Sequence, residues 1–163
     1  MAELWDAYDN KFNIINDITL VRGEPIPDGI YHLVCEIIVK HIDGTFLMMQ
    51  RDYRKNYGGM WEVTAGGSVL RGETPLLGAI RELKEETGLV AKDIKEIKRV
   101  VHDVHHSLYV VYLCVTDCEK DAIVLQEGET IAYKWIDRKS LMEMREDEMA
   151  SERTMKLIKE LNI

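Results

Sequence analysis

Cysteine is scarce, with Cys35, Cys114 and Cys118 the only three in 163 residues. The count is odd and no tight metal-ligand spacing accompanies it, so neither a disulfide framework nor a zinc site organises this fold. Cys35 and Cys114 fall inside apolar runs and read as small buried hydrophobes, and unpaired thiols suit a reducing cytoplasm. Proline and glycine are also few, at 3 and 11, which excludes collagen-like and low-complexity chains. No apolar run approaches the roughly 18 residues of a membrane span. Glu3, Asp6 and Asp9 stand where a targeting leader would be basic, so the expectation is a cytoplasmic protein without a membrane segment. Positive charge is short as well: 21 Lys and Arg against 29 Asp and Glu leave a net charge of -8. Such a surface repels nucleic-acid polymers and anionic lipid, and a small anionic ligand must be met by local cations.

What remains is the composition of a folded domain, 46% apolar and 31% charged, with no repeat and no long linker, read as one domain over 1–163. Segments 31–40, 46–51, 94–102, 108–115 and 131–136 are short and rich in β-branched and aromatic residues, and turn signals such as Asp43-Gly44 separate them. They predict strands. Residues 75–87 predict a helix, with Thr74 as N-cap, Pro75 in the first helical position and Gly88 as the left-handed residue after the end. Asp137 caps a short helix through Leu141 and Met144, and Leu157, Ile158 and Leu161 mark a second helix within 137–163. Met142, Met144, Met149 and Met155 read as helix packing. Residues 1–29 form an extension in which Trp5 and Tyr8 pack a hairpin on the sheet or on a second subunit of a homodimer. The sum is an α/β sandwich with a mixed sheet.

The chemistry is expected on the helix. At about 100 degrees per residue, with Glu82 at zero, Glu85 falls near -60 and Glu86 near +40, while Leu76, Ile80, Leu83 and Thr87 gather as a core-facing stripe. Glu82 and Glu86 are a repelling i, i+4 pair, and all three acids stand where the helix dipole disfavours anions. A divalent cation compensates both faults, and carboxylate oxygens suit Mg²⁺ or Mn²⁺. The competing account is a solvated acidic face with Arg81 pairing Glu85. Gly66-Gly67 and Gly72-Glu73 supply a turn-rich approach that brings backbone and a fourth carboxylate to the same face.

Gly67, five residues, Glu73, seven residues, then Arg81-Glu82-Leu83-Lys84-Glu85-Glu86-Thr87-Gly88-Leu89 resembles the Nudix box at every specified position. Chance would produce it in on the order of one chain in a million of this length. The resemblance implies a Nudix-type α/β/α sandwich and hydrolysis of a nucleoside diphosphate derivative, or a similar small diphosphate, by water attack on phosphorus. It implies metal ligation by Glu82, Glu85, Glu86 and the Gly66 carbonyl, with Arg81 and Glu73 positioning helix and loop. Glu82 is the first candidate for the base, and Glu127 and Glu129 are its rivals or extra ligands. Trp5-Asp6-Ala7-Tyr8-Asp9, Arg22-Gly23 and Tyr31-His32-Leu33 are similar to the isopentenyl-diphosphate isomerase branch. That branch's catalytic Cys and following His would fall at Gly66 and Ser68, so the acid pair is missing and hydrolysis is favoured. A non-catalytic module that senses a nucleotide diphosphate is the alternative from another class. His32 reads as a structural group, and His102, His105 and His106 as a solvated turn. For substrate binding the basic, aromatic segment 51–59 is the candidate, led by Arg51 and Tyr57, where a solvated loop is the competing account.

Overall fold

The computed structural model describes residues 1–163. Its centre is β3 (His32–His41), whose buried side chains alternate between the two faces of the sheet. Along one edge β3 pairs in parallel with β8 (Ser107–Thr116), from His32 opposite Ser107 to His41 opposite Thr116. Along the other edge it is shared. Residues 34–38 pair antiparallel with β6 (Thr64–Ser68), whereas Lys40 alone meets Phe46 of β4 (Phe46–Arg51). The strand β5 (Trp61–Glu62) joins β4, as does β9 (Thr130–Ile136), and β7 (Asp93–His102) closes the far edge against β8. The mixed sheet therefore forks between β6 on β3 and β5 on β4, and the fork opens a polar cleft.

Alternation along β3 fills two cores. Leu33, Cys35, Ile37 and Val39 face a cluster with Ala79 and Leu83 of α1 (Pro75–Thr87). Ile38 faces the opposite cluster, with Leu141 of α2 (Arg138–Met142) and Leu157 and Ile158 of α3 (Glu152–Leu161). Helices thus cover both faces of the sheet, since a strand buried on both sides needs apolar cover on each. Both ends of α1 are set as its punctuation predicts: the Thr74 side chain accepts from Leu77 N–H, and Gly88 closes the helix at φ 77°. None of the helices is long and apolar enough to cross a membrane.

Three sequence expectations are corrected. The core stripe of α1 is not Leu76, Ile80, Leu83 and Thr87, because Leu76 and Ile80 are 42% and 36% exposed. The buried residues are Gly78, Ala79, Leu83 and Thr87, an arc that takes in the position of Glu86 near +40 degrees. Acids and packing face are therefore contiguous. Gly66-Gly67 lies in β6, paired with β3, and the turn begins only after Ser68. Helix α2 ends at Met142, short of Met144.

The N-terminal residues form a hairpin of β1 (Leu4–Tyr8) and β2 (Ile14–Val21) that docks on its own chain's sheet. Tyr8 and Tyr31 exchange both backbone hydrogen bonds, at 2.9 and 3.0 Å. Arg71 N–H donates to the Leu4 carbonyl at 2.9 Å, and Gly72 N–H to Asp6 Oδ2 at 2.8 Å. The Trp5 ring stacks on His32 with 4.4 Å between centroids. That stack, and 2.7 Å between His32 Nε2 and Ser107 Oγ, make His32 a packing residue, which burial pushes down to about 4.

Candidate active site

Two glycines set the floor. A Cβ on Gly66 would lie 2.1 Å from the Cys35 carbonyl oxygen of the paired strand, and one on Gly67 would lie 2.7 Å from the Glu82 carboxyl carbon. Their absence lets α1 lie close over β6. Gly66 N–H then donates to Glu86 Oε2 at 3.0 Å. Glu86 has no ion-pair partner, and burial pushes it up to about 8. Glu82 and Glu62 add to that shift, and the Gly66 N–H and Lys55 oppose it. Burial raises Glu82 too, against the pull of Arg81.

Arg81 is the hub. Its Nε and Nη2 grip the two Glu73 oxygens at 2.7 and 3.0 Å, and Nη2 also donates to the Ser68 carbonyl at 3.0 Å. Nη1 reaches Glu82 at 2.7 Å and Glu85 at 3.4 Å. Glu73 accepts in addition from Leu70 N–H at 2.9 Å, so one ion pair ties helix, loop and strand together. Arg81 rises above its ordinary value, chiefly through Glu73, and Glu73 falls below its own through Arg81.

The acids look onto a cleft of about 360 Å³ and a neighbouring pocket of about 180 Å³; both are lined by Lys55, Gly66, Gly67, Glu86 and Glu129. Arg51 lines the pocket, held by Glu62 at 2.5 Å and by the Asn56 carbonyl at 2.7 Å. Lys55 pairs with Glu129. Burial first, then Arg51, lowers Lys55, and Glu86 and Glu62 pull it back up. No three His, Cys, Asp or Glu side chains group as a finished cation cage, since Arg81 ties Glu82 and Glu85 to itself. The donor chemistry nevertheless fits a hard divalent cation. Glu86 is a half-buried carboxylate without an ion-pair partner, beside a second half-buried carboxylate and a backbone strand, and an oxygen-only set of this kind suits Mg²⁺ or Mn²⁺.

The structure therefore gathers Gly66, Arg81, Glu82, Glu85, Glu86, Arg51 and Glu129 around the cleft and its pocket, with Glu73 behind them on Arg81. It does not bring Tyr57 or Glu127 there. Tyr57 is 67% exposed on its loop, and Glu127 borders neither cavity. Sequence reasoning missed Glu3, Arg22, Glu36 and Glu62. Glu36 had a signal, a lone acid inside an apolar strand; it accepts from Arg153 at 2.5 Å, and its second oxygen has no partner. Glu3 gave none and Arg22 only a place in the N-terminal resemblance, because the docked hairpin is what carries them to the cleft. The Cys35 thiol donates to the Gly67 carbonyl at 3.3 Å, and burial pushes it up to about 12, as befits a packing residue.

Comparison with known proteins agrees with this construction. The NUDIX domain model matches residues 31–158. An uncharacterized Nudix hydrolase of Rhodococcus erythropolis is 34% identical over 142 residues, 82% of this chain and 76% of that one. An uncharacterized Nudix hydrolase of Listeria innocua is 28% identical over 145 residues, 88% and 85% of the two chains. Among solved structures, a Deinococcus radiodurans protein superposes with a TM-score of 0.77 at 17% identity, covering 97% of this chain and 98% of its own. The NUDIX domain of Shewanella oneidensis NrtR, complexed with ADP ribose, does so at 0.65 and 19% identity, covering 81% and 86%. A domain match over most of the chain, joined to a complete box whose carboxylates line one cleft, places it in the Nudix hydrolase family, whose enzymes cleave diphosphate linkages.

Proposed function

We propose that the chain is a divalent-metal-dependent hydrolase of a small diphosphate, such as a nucleoside diphosphate derivative, acting by attack of water on phosphorus. The observation that carries this reading is Glu86, half-buried, hydrogen-bonded only by Gly66 N–H and in no ion pair, beside Glu82 at the edge of a polar cleft. Stability alone gives no reason to bury that charge. Mg²⁺ or Mn²⁺ held by Glu82, Glu85, Glu86 and the Gly66 carbonyl would supply the positive charge needed between an anionic attacking oxygen and an anionic phosphoryl group.

The chain's own residues divide the remaining work. Glu82 accepts the proton of the attacking water, since burial raises its affinity for a proton and its carboxylate opens onto the cleft. Glu129 lines the same cleft and is the rival base, although Lys55 neutralises it. Arg81 and Glu73 position Glu82 and do not react. Arg51 and Lys55 offset the charge of an entering phosphate.

The test is a panel of nucleotide, sugar, dinucleotide and prenyl diphosphates with Mg²⁺, both products being identified by mass. ADP-ribose belongs in it, because the structurally similar NrtR domain was crystallised with that compound. Cleavage at phosphorus that Glu86→Gln abolishes is the expected result. Binding without cleavage at any enzyme concentration overturns the reading.

A further inference from the structure

Four cations border the cleft and its pocket, and their hydrogen-bond donors are engaged unequally. An arginine carries five N–H donors and a lysine three. Arg81 makes five contacts, to Glu73, Glu82, Glu85 and the Ser68 carbonyl. Arg51 is held by Glu62 and the Asn56 carbonyl, and Lys55 by Glu129. The Arg22 guanidinium meets only Glu3, through Nη1 at 3.2 Å, and its side chain is 66% exposed. It is the cation with the most donors left for a ligand.

Arg22 is also held in place. Its backbone N–H donates to the Glu3 carbonyl at 2.9 Å beside the β1–β2 ladder, and Glu3 is itself fixed by Trp5 Nε1 at 2.6 Å. Trp5 stacks on His32, and Arg71 and Gly72, in the turn before α1, bond to Leu4 and Asp6 of the hairpin. A loose flap would carry no such set of ties. The hairpin precedes residue 31, where the domain match begins, so this wall of the cleft lies outside the region that the domain model spans.

The geometry points to Arg22 as a substrate-binding residue that grips a phosphate oxygen of the diphosphate from the hairpin side of the cleft. An acid-lined cleft repels a diphosphate unless cations with unused donors face it, and a guanidinium fork matches phosphate oxygens bidentately. The inference rests on the diphosphatase reading above.

Steady-state kinetics on the diphosphate that the wild type cleaves best will test it. Arg22→Ala should raise KM about tenfold with kcat within about twofold, because one charge-assisted contact made equally to substrate and transition state is lost. Arg22→Lys should recover part of the loss. Glu3→Gln releases the guanidinium and should leave KM unchanged or lower it. If Arg22 merely staples the hairpin through Glu3, then Glu3→Gln and Arg22→Ala will raise KM alike, and that result overturns the inference, as does an unchanged KM in Arg22→Ala. Thermal melts confirm that each variant is folded. A wild type that cleaves nothing in the panel overturns the diphosphatase reading instead. Calorimetric titration with inorganic pyrophosphate and Mg²⁺ then decides on Arg22: about tenfold weaker binding by Arg22→Ala supports it, and equal binding overturns it.

Discussion

Replacing Glu86 by Gln in metal-free protein should make the fold more stable while removing turnover. In the folded chain Glu86 holds its proton up to about pH 8, whereas its ordinary value is 4.5. Between those limits the folded state binds more protons than the unfolded one, so stability falls as pH rises from about 4.5 through 8. The interval corresponds to about 5 kcal/mol at 1.36 kcal/mol for each tenfold change in proton affinity. Glu82 and Glu62 share that field and the open cleft admits water, so relief of about 2 kcal/mol is the working figure. Glutamine keeps an oxygen for Gly66 N–H and carries no charge. For a chain of 163 residues, that relief amounts to about 4–8 °C in Tm. The assay is thermal melting of both proteins in chelator at pH 5 and pH 9, followed by Mg²⁺ titration and a turnover measurement. The variant should melt higher at pH 9 and show little difference at pH 5, and Mg²⁺ should raise the Tm of the wild type alone. Equal melting at pH 9, or a gap of the same size at both pH values, refutes the claim that a desolvated charge without an ion-pair partner resides at this position.

The two floor glycines should separate fold from chemistry. Gly66→Ala drives a Cβ onto the Cys35 backbone carbonyl and should destabilise by about 3 kcal/mol or more, read by chemical denaturation. Gly67→Ala meets first the carboxylate end of the Glu82 side chain, which can swing away; it should melt within a few degrees of wild type and lose on the order of 10²-fold in kcat. Glu73→Gln weakens the two-pronged grip on Arg81; a loss of about 1–3 kcal/mol is expected by denaturation, with kcat down about tenfold because Glu82 is no longer held. Thr74→Ala removes the acceptor for Leu77 N–H and should cost about 1 kcal/mol in a denaturant melt with kcat unchanged.

Much of this protein was legible in the chain itself. Local signals act over a few residues and need no partner, so the ends of α1 at Thr74 and Gly88 and the strands at 46–51 and 131–136 follow from capping and β-branched patterning. The spacing of Glu82, Glu85 and Glu86 likewise put three carboxylates together, because helical periodicity is a property of the segment. The tertiary structure decided which side of that helix is buried. The side-chain-free surface of Gly66-Gly67 lets α1 settle with Glu86 against the sheet, and no wheel drawn on α1 alone includes the strand beneath it. Only the folded chain, too, brings Arg22 and Glu3 to the cleft, across more than forty residues from the nearest floor glycine. Their placement depends on the Tyr8 and Tyr31 pairing and the Trp5 and His32 stack, contacts between distant segments that leave no periodic trace in the sequence.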